Sequence, residues 1–187
     1  MRLVMPQVRP RLNPPARAHR KNMTFILRAI SDTGLRALAA LGRPEDIALH
    51  AATDAFPPPF VALRALAMLP PGGLSSAPST FYIVRCTDRL VVGSCGFKHA
   101  PIGGRVEIGY GVSPACRNEG AATAAVAQLL RLAFAREGVT EVLAQIHPAN
   151  DASTQVVRKL AFERGGLVDD GEEELVQWLA RKVLAVT

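Results

Sequence analysis

The 187-residue chain has no apolar run near the ~18–20 residues that a membrane-crossing helix needs. Its three cysteines, Cys86, Cys95 and Cys116, are odd in number and never spaced as CxxC. Neither a disulfide framework nor a zinc site is supported, so a reducing, cytoplasmic setting is expected. The four histidines show no metal-ligand spacing, and no metal is expected. Two phosphate-binding signatures are missing as well. No Lys-Ser/Thr pair follows a glycine loop, which excludes a P-loop, and no GxGxxG run opens a helix, which excludes the dinucleotide fingerprint.

A further absence locates the charge. Residues 1–22 contain no acidic side chain but hold Arg2, Arg9, Arg11, Arg17, Arg20 and Lys21. The whole chain carries 22 basic and 16 acidic residues for a net +6, so residues 23–187 carry 16 of each. Nucleic acid is therefore not an expected partner of the domain; the basic character belongs to the tail. Pro6, Pro10, Pro14 and Pro15 oppose a helix there and favour extended, solvated chain. A secretory signal lacks its apolar core, and the prolines oppose the amphipathic helix of a mitochondrial presequence. Met23 directly precedes the first strand-like run and is a candidate natural start. The expected organisation is a basic, flexible extension over 1–22 and a single domain over 23–187.

Phe25–Ile30 reads as a strand, followed by a helix from Ser31 and Asp32 to Leu41, where the hydroxyl and carboxylate offer caps. Pro44-Glu45-Asp46 predicts a further helix to about Thr53, ended by Pro57-Pro58-Pro59. Val61–Leu69 has helical spacing, and Pro70–Ser79 is a loop by composition. Thr80–Cys86, Arg89–Phe97 and Arg105–Val112 predict an antiparallel meander with turns at Asp88 and Pro101–Gly104. A long helix follows over Gly120–Glu137, with Val126, Leu129, Leu130, Ala133 and Phe134 on its apolar face. The strand Thr140–His147 then implies a parallel pair through a crossover. A helix near Asp151–Leu160 and two short strands, Phe162–Gly165 and Glu174–Arg181, close the chain around an Asp169-Asp170-Gly171 turn. The fold class is mixed α/β.

The informative stretch is Gly111–Ala122, GVSPACRNEGAA, between a strand and the long helix. A helix start presents unpaired N–H groups and partial positive charge. The small residues Gly120, Ala121 and Ala122 let a phosphate approach the backbone, and Arg117 adds a cation. Each exposed helix-end interaction is worth only ~0.3–1 kcal/mol, so several must act together.

Arg117-Asn118-Glu119-Gly120-Ala121-Ala122 resembles the R/Q-x-x-G-x-G/A pyrophosphate loop of the GNAT family of N-acetyltransferases. EIGYGVSP before it, the AVAQLLRLAF helix and HPANDASTQVVRKLAF after it also resemble the family in order and spacing. The resemblance is closest to the branch of Rim-type ribosomal-protein N-terminal acetyltransferases. It implies a central, mostly antiparallel sheet with a splayed parallel strand pair and flanking helices, and acetyl-CoA as acetyl donor. Pantetheine would lie between Arg105–Val112 and Thr140–His147, bonded by the backbone around Tyr110, Gly111 and Val112. The pyrophosphate would sit on the N–H groups from Asn118 through Glu119, Gly120 and Ala121 to Ala122, with Arg117 at the loop's start. Asn150 corresponds to the family asparagine that touches the cofactor arm.

Acyl transfer needs a neutral amine. A lysine-like amine is neutral only about once in 2,500 at pH 7, an α-amine roughly one time in ten. A general base is worth ~10²–10⁴ in rate. Glu107 is the leading base, and its alternative is a strand carboxylate paired with Arg105 or another cation. Ser153 matches a branch serine that would protonate the leaving thiolate, and is otherwise simply the third residue of a helix capped by Asn150. Val157 stands where many members carry an acidic tyrosine, so that route is closed, and Tyr110 reads as wall. Ala161 replaces the family's helix-terminating glycine, at a cost of ~1–2 kcal/mol if left-handed, which leaves the helix end open to reshaping. Cys116 reads as a buried loop residue; His99 and His147 would be its bases in a covalent reading.

The resemblance implies a primary-amine acceptor, on a protein N-terminus or a small molecule. Its cleft is expected along Asp54–Met68, with Phe56 and Phe60, and the loop after the third strand. A homodimer stays open. The alternative function is a non-catalytic CoA-binding sensor or interaction module.

Overall fold

The computed structural model describes residues 24–44, 50–70 and 79–183. The basic extension over 1–22 and most of the Pro70–Ser79 loop lie outside the described residues. Seven strands form one mixed sheet: β1 (Phe25–Ala29), β2 (Thr80–Arg85), β3 (Leu90–Phe97), β4 (Arg105–Val112), β5 (Glu141–Ile146), β6 (Glu163–Asp169) and β7 (Glu174–Arg181). Their spatial order is β1-β2-β3-β4-β5-β7-β6. Every neighbouring pair is antiparallel except β4 and β5, which are parallel as the crossover requires.

Among the described residues, four α-helices cover the sheet: α1 (Asp32–Ala39), α2 (Pro59–Ala67), α3 (Ala121–Phe134) and α4 (Asp151–Lys159). The Ser31 hydroxyl accepts the Gly34 N–H at 3.0 Å and starts α1, while Pro59 opens α2 with the fixed φ that suits a first turn. One face of the sheet packs α3 and α4, and includes Val126, Leu129, Ala133, Val157 and Trp178. The other packs α1 and α2 through Leu35, Leu38, Ala62, Ala65 and Tyr82. Burying a Val or Leu side chain fully contributes about 1.5–3 kcal/mol, which is what the three-and-four spacing of α3 secures. Gln128, on the polar side of α3, meets the open edge of β1. Its amide donates to the Phe25 carbonyl at 2.9 Å and accepts the Leu27 N–H at 3.3 Å, satisfying edge groups that would otherwise invite another strand.

One expectation fails over its described part, and one open point is resolved. The helix from Pro44 to Thr53 falls partly on residues 45–49, outside the described residues, and His50–Thr53 is not helical. Its backbone serves β3 instead: Val91 N–H donates to the His50 carbonyl at 2.8 Å, and Ala52 N–H to the Val91 carbonyl at 2.9 Å. Nor is the end of α4 reshaped. Ala161 takes the left-handed conformation (φ 57°), and the chain closes with Phe162 N–H on the Val157 carbonyl at 3.0 Å and Ala161 N–H on the Arg158 carbonyl at 3.2 Å. Those two bonds are the Schellman closure that glycine usually makes.

Candidate functional site

The parallel ladder of β4 and β5 is only three residues long, Arg105–Glu107 against Glu141–Leu143. Beyond it β4 stays with β3 and β5 stays with β7, so a wedge opens between Ile108–Val112 and Ala144–Ile146. Gly104 pins the closed end. Its φ is +78°, an added Cβ would stand 3.0 Å from the Gly138 carbonyl, and its own carbonyl accepts the Thr140 and Glu141 N–H groups.

A cavity of about 510 Å3 lies beside the open end, a size that suits a cofactor. Its wall is built by Tyr110, Gly111 and Val112 at the end of β4, by Arg117, Asn118 and Gly120, by Ala121 and Ala122 in the first turn of α3, and by Asn150 and Ser153. The start of α3 differs from those of α1 and α4. Ser31 and Asn150 cap their helices with side-chain oxygens, whereas no side chain caps α3. Its first N–H groups have no side-chain cap, and Asn118 (φ 63°) and Gly120 (φ 90°) are left-handed in the approach to it. The start of α4 lines the same cavity, so two positive helix ends converge on it. Arg117 and Lys159 also line it, and neither has an ion-pair partner among the described residues.

Several side chains here are already engaged. Glu119 lies outside the cavity wall, its carboxylate held by Arg85 at 2.7 Å; a contribution from residue 119 reduces to its backbone. The Asn150 side chain accepts the Ser153 N–H at 3.0 Å, so Ser153 is indeed the third residue of a capped helix while also facing the cavity. Tyr110 donates its hydroxyl to the Ser153 carbonyl at 3.1 Å and ties β4 to α4. Burial pushes this phenol up to about 12, so it stays protonated as a wall residue.

Glu107 is the last β4 residue paired with β5. Its carboxylate is not taken by Arg105, which pairs with Glu141 across the ladder. It is held by Lys98 through Oε1, and its Oε2 lies 3.8 Å from His99 Nε2. The pairing expected with Arg105 or another cation is thus made by Lys98; sequence reasoning named neither Lys98 nor His99, whose signal was their place at the start of the β3–β4 connection. Cys116 is buried and lines the cavity, and no histidine among the described residues lines it with Cys116. His99 faces Glu107, and His147 accepts the Ala149 N–H through Nδ1 at 3.1 Å and faces Glu173. Of the expected acceptor wall, Phe56 packs edge-on against Tyr82 at 5.8 Å, and Phe60 is 64% exposed. No group of His, Cys, Asp and Glu suited to a metal occurs among the described residues, and no described helix is long and apolar enough to cross a membrane.

Residues 24–163 match the sequence profile of the acetyltransferase (GNAT) domain. The chain belongs to this family. A curated relative, the uncharacterized N-acetyltransferase p20 of Bacillus licheniformis, is 34% identical over 92 residues, 49% of this chain and 51% of the relative. The chain thus spans about half the length of the curated relative it matches. Among solved structures, aminoglycoside acetyltransferase AAC(6')-Ib in complex with coenzyme A aligns over 85% of this chain and 95% of its own, at 18% identity and a TM-score of 0.58. A GNAT-family acetyltransferase from Bacillus anthracis aligns over 83% of this chain and 92% of its own, at 17% identity and a TM-score of 0.52. These likenesses show the GNAT fold, with its mostly antiparallel sheet, single parallel pair and flanking helices.

Proposed function

We propose that the protein is an N-acetyltransferase that moves acetyl directly from acetyl-CoA to a primary amine. The observation that carries this reading is the uncapped start of α3 beside the β4–β5 wedge. One feature suits a pyrophosphate and the other an extended pantetheine, whose amides replace the missing ladder. Acetyl-CoA supplies the activated acyl group; Arg117 and the N–H groups from Asn118 to Ala122 hold its diphosphate, and the backbone of Tyr110–Val112 aligns its arm. Asn150 keeps the α4 turn in place against that arm.

Glu107, at the apex of the wedge, draws the proton from the ammonium form of the amine; after attack, the Ser153 hydroxyl gives its proton to the departing thiolate and regains one from the nitrogen of the collapsing intermediate. The domain that does this spans residues 23–187, with 1–22 as an extension outside it. The acceptor is a protein N-terminus or a small-molecule amine, the latter being the substrate type named for the aminoglycoside neighbour.

The Lys98 ion pair favours the second reading, a non-catalytic CoA sensor, because it occupies one oxygen of the base. Thiol release from acetyl-CoA in the presence of peptides, aminoglycosides and polyamines tests the two readings. Glu107→Gln is expected to reduce kcat by about 10²-fold or more with acetyl-CoA binding intact. Wild-type protein that binds acetyl-CoA yet acetylates no amine would establish the sensor.

A further inference from the structure

The group behind Glu107 has a proton-handling geometry of its own. His99 Nδ1 lies 2.8 Å from the Ala100 carbonyl oxygen. A carbonyl can only accept, so Nδ1 carries the hydrogen and the neutral ring keeps its lone pair on Nε2. That lone pair faces Glu107 Oε2 across 3.8 Å. Two acceptors confronting each other repel, and the arrangement becomes attractive only when a proton lies between them. Lys98 fixes the other carboxylate oxygen, so Glu107 cannot simply turn away. The distance exceeds a direct hydrogen bond, and a small ring rotation or one bridging water spans it. His99 is 39% exposed and lines a separate cavity of about 680 Å3, so its ring has both freedom to move and access to solvent.

We infer that His99 is the outlet for the reaction's proton, a positioning and relay residue acting through Glu107. This rests on the reading of Glu107 as base. The amine proton passes to Oε2 of Glu107, leaving a neutral amine for attack on the thioester. It then passes to Nε2 of His99, which restores the carboxylate and creates an imidazolium beside it. The imidazolium releases the proton to water. The restored carboxylate, still paired with Lys98, holds the imidazolium until release. Among the described residues, Lys98 joins Glu107 directly, Arg105 and Arg181 both pair with Glu141, and Asp170 in the β6–β7 turn interacts with Lys98. Asp32 at the start of α1 and Arg136 after α3 share the His99 cavity.

The experiment compares wild type, His99→Gln and Glu107→Gln with the best amine from the panel, following kcat against pH. An imidazolium at His99 has no lone pair left to receive the proton, so wild-type kcat should fall as the pH is lowered. His99→Gln should lose about 10- to 100-fold in kcat at neutral pH, lose that acid limb, and recover when imidazole is added to the buffer. A purely structural His99 would not give chemical rescue. Wild-type kcat and pH profile in His99→Gln, beside an inactive Glu107→Gln, would overturn the outlet and leave the base standing. Full activity in Glu107→Gln would overturn the base and the outlet with it. Nitrogen-15 NMR of the wild-type histidines gives a check independent of any variant's folding: an Nε2–H tautomer at His99 would also overturn the inference.

Discussion

Replacing Ala161 with glycine should stabilise the protein, although the change deletes a methyl group and adds no contact. Ala161 follows α4 in the left-handed region (φ 57°), with two Schellman bonds closing on the Val157 and Arg158 carbonyls. Left-handed backbone costs a residue with a Cβ about 1–2 kcal/mol, and glycine nothing. Against this, glycine in the unfolded chain is looser, which costs about 0.4–1 kcal/mol. Ala161 is exposed, so its methyl group contributes little packing. The balance is a gain of about 0.5–1 kcal/mol, equivalent to a rise of roughly 1–4 °C in Tm for a domain of this size. Urea unfolding of the two proteins should show a higher midpoint with an unchanged slope. Ala161→Val supplies the opposite sign, because a β-branched residue tolerates positive φ less well than alanine. If glycine were neutral or destabilising while valine was tolerated, the left-handed closure would be wrong, and with it the account of how α4 ends.

Further tests address the sheet. Gly93→Ala places a Cβ 2.2 Å from the Gly111 carbonyl oxygen, so β3 and β4 must part; we expect a loss of about 1–3 kcal/mol by urea unfolding, and an unchanged midpoint would contradict the close approach. Tyr110 offers a pH test with a defined sign. Its folded-state value is raised by burial from the ordinary 10 to about 12, so the folded protein holds this proton more tightly than the unfolded chain. The associated stability is complete below pH 10 and disappears as pH rises from 10 to 12, by roughly 2 kcal/mol. Tyr110→Phe should flatten that part of the stability–pH curve, and an equal slope in both proteins would place the alkaline transition elsewhere.

Much of the fold was legible because its signals are local. Ser31 before Asp32, the three-and-four spacing from Val126 to Phe134 and the Asp169-Asp170-Gly171 turn each specify their element without reference to the rest of the chain. The uncapped start of α3 was legible for the same reason: Gly120, Ala121 and Ala122 offer no side-chain cap. The stretch after Pro44 was not. Its backbone bonds to Val91, forty residues away, and a local helix preference has no means of registering that competitor.

The surroundings of Glu107 depended on register. Arg105, two residues before it on the same strand face, is the obvious cation from sequence, but neighbours so placed point outward side by side rather than towards each other. A cross-strand residue approaches more closely, and which one does so is fixed by how the connection from Lys98 to Gly104 closes. A slip of one residue would present His99 opposite Glu107 and turn Lys98 to the other face. The register formed gives Lys98 to one carboxylate oxygen and leaves the other for His99, while Arg105 crosses to Glu141. A carboxylate already paired with a lysine is a poor terminal store for a proton. The same pairing makes it a good conduit, provided that a titratable group stands behind it, and His99 is the residue in that place.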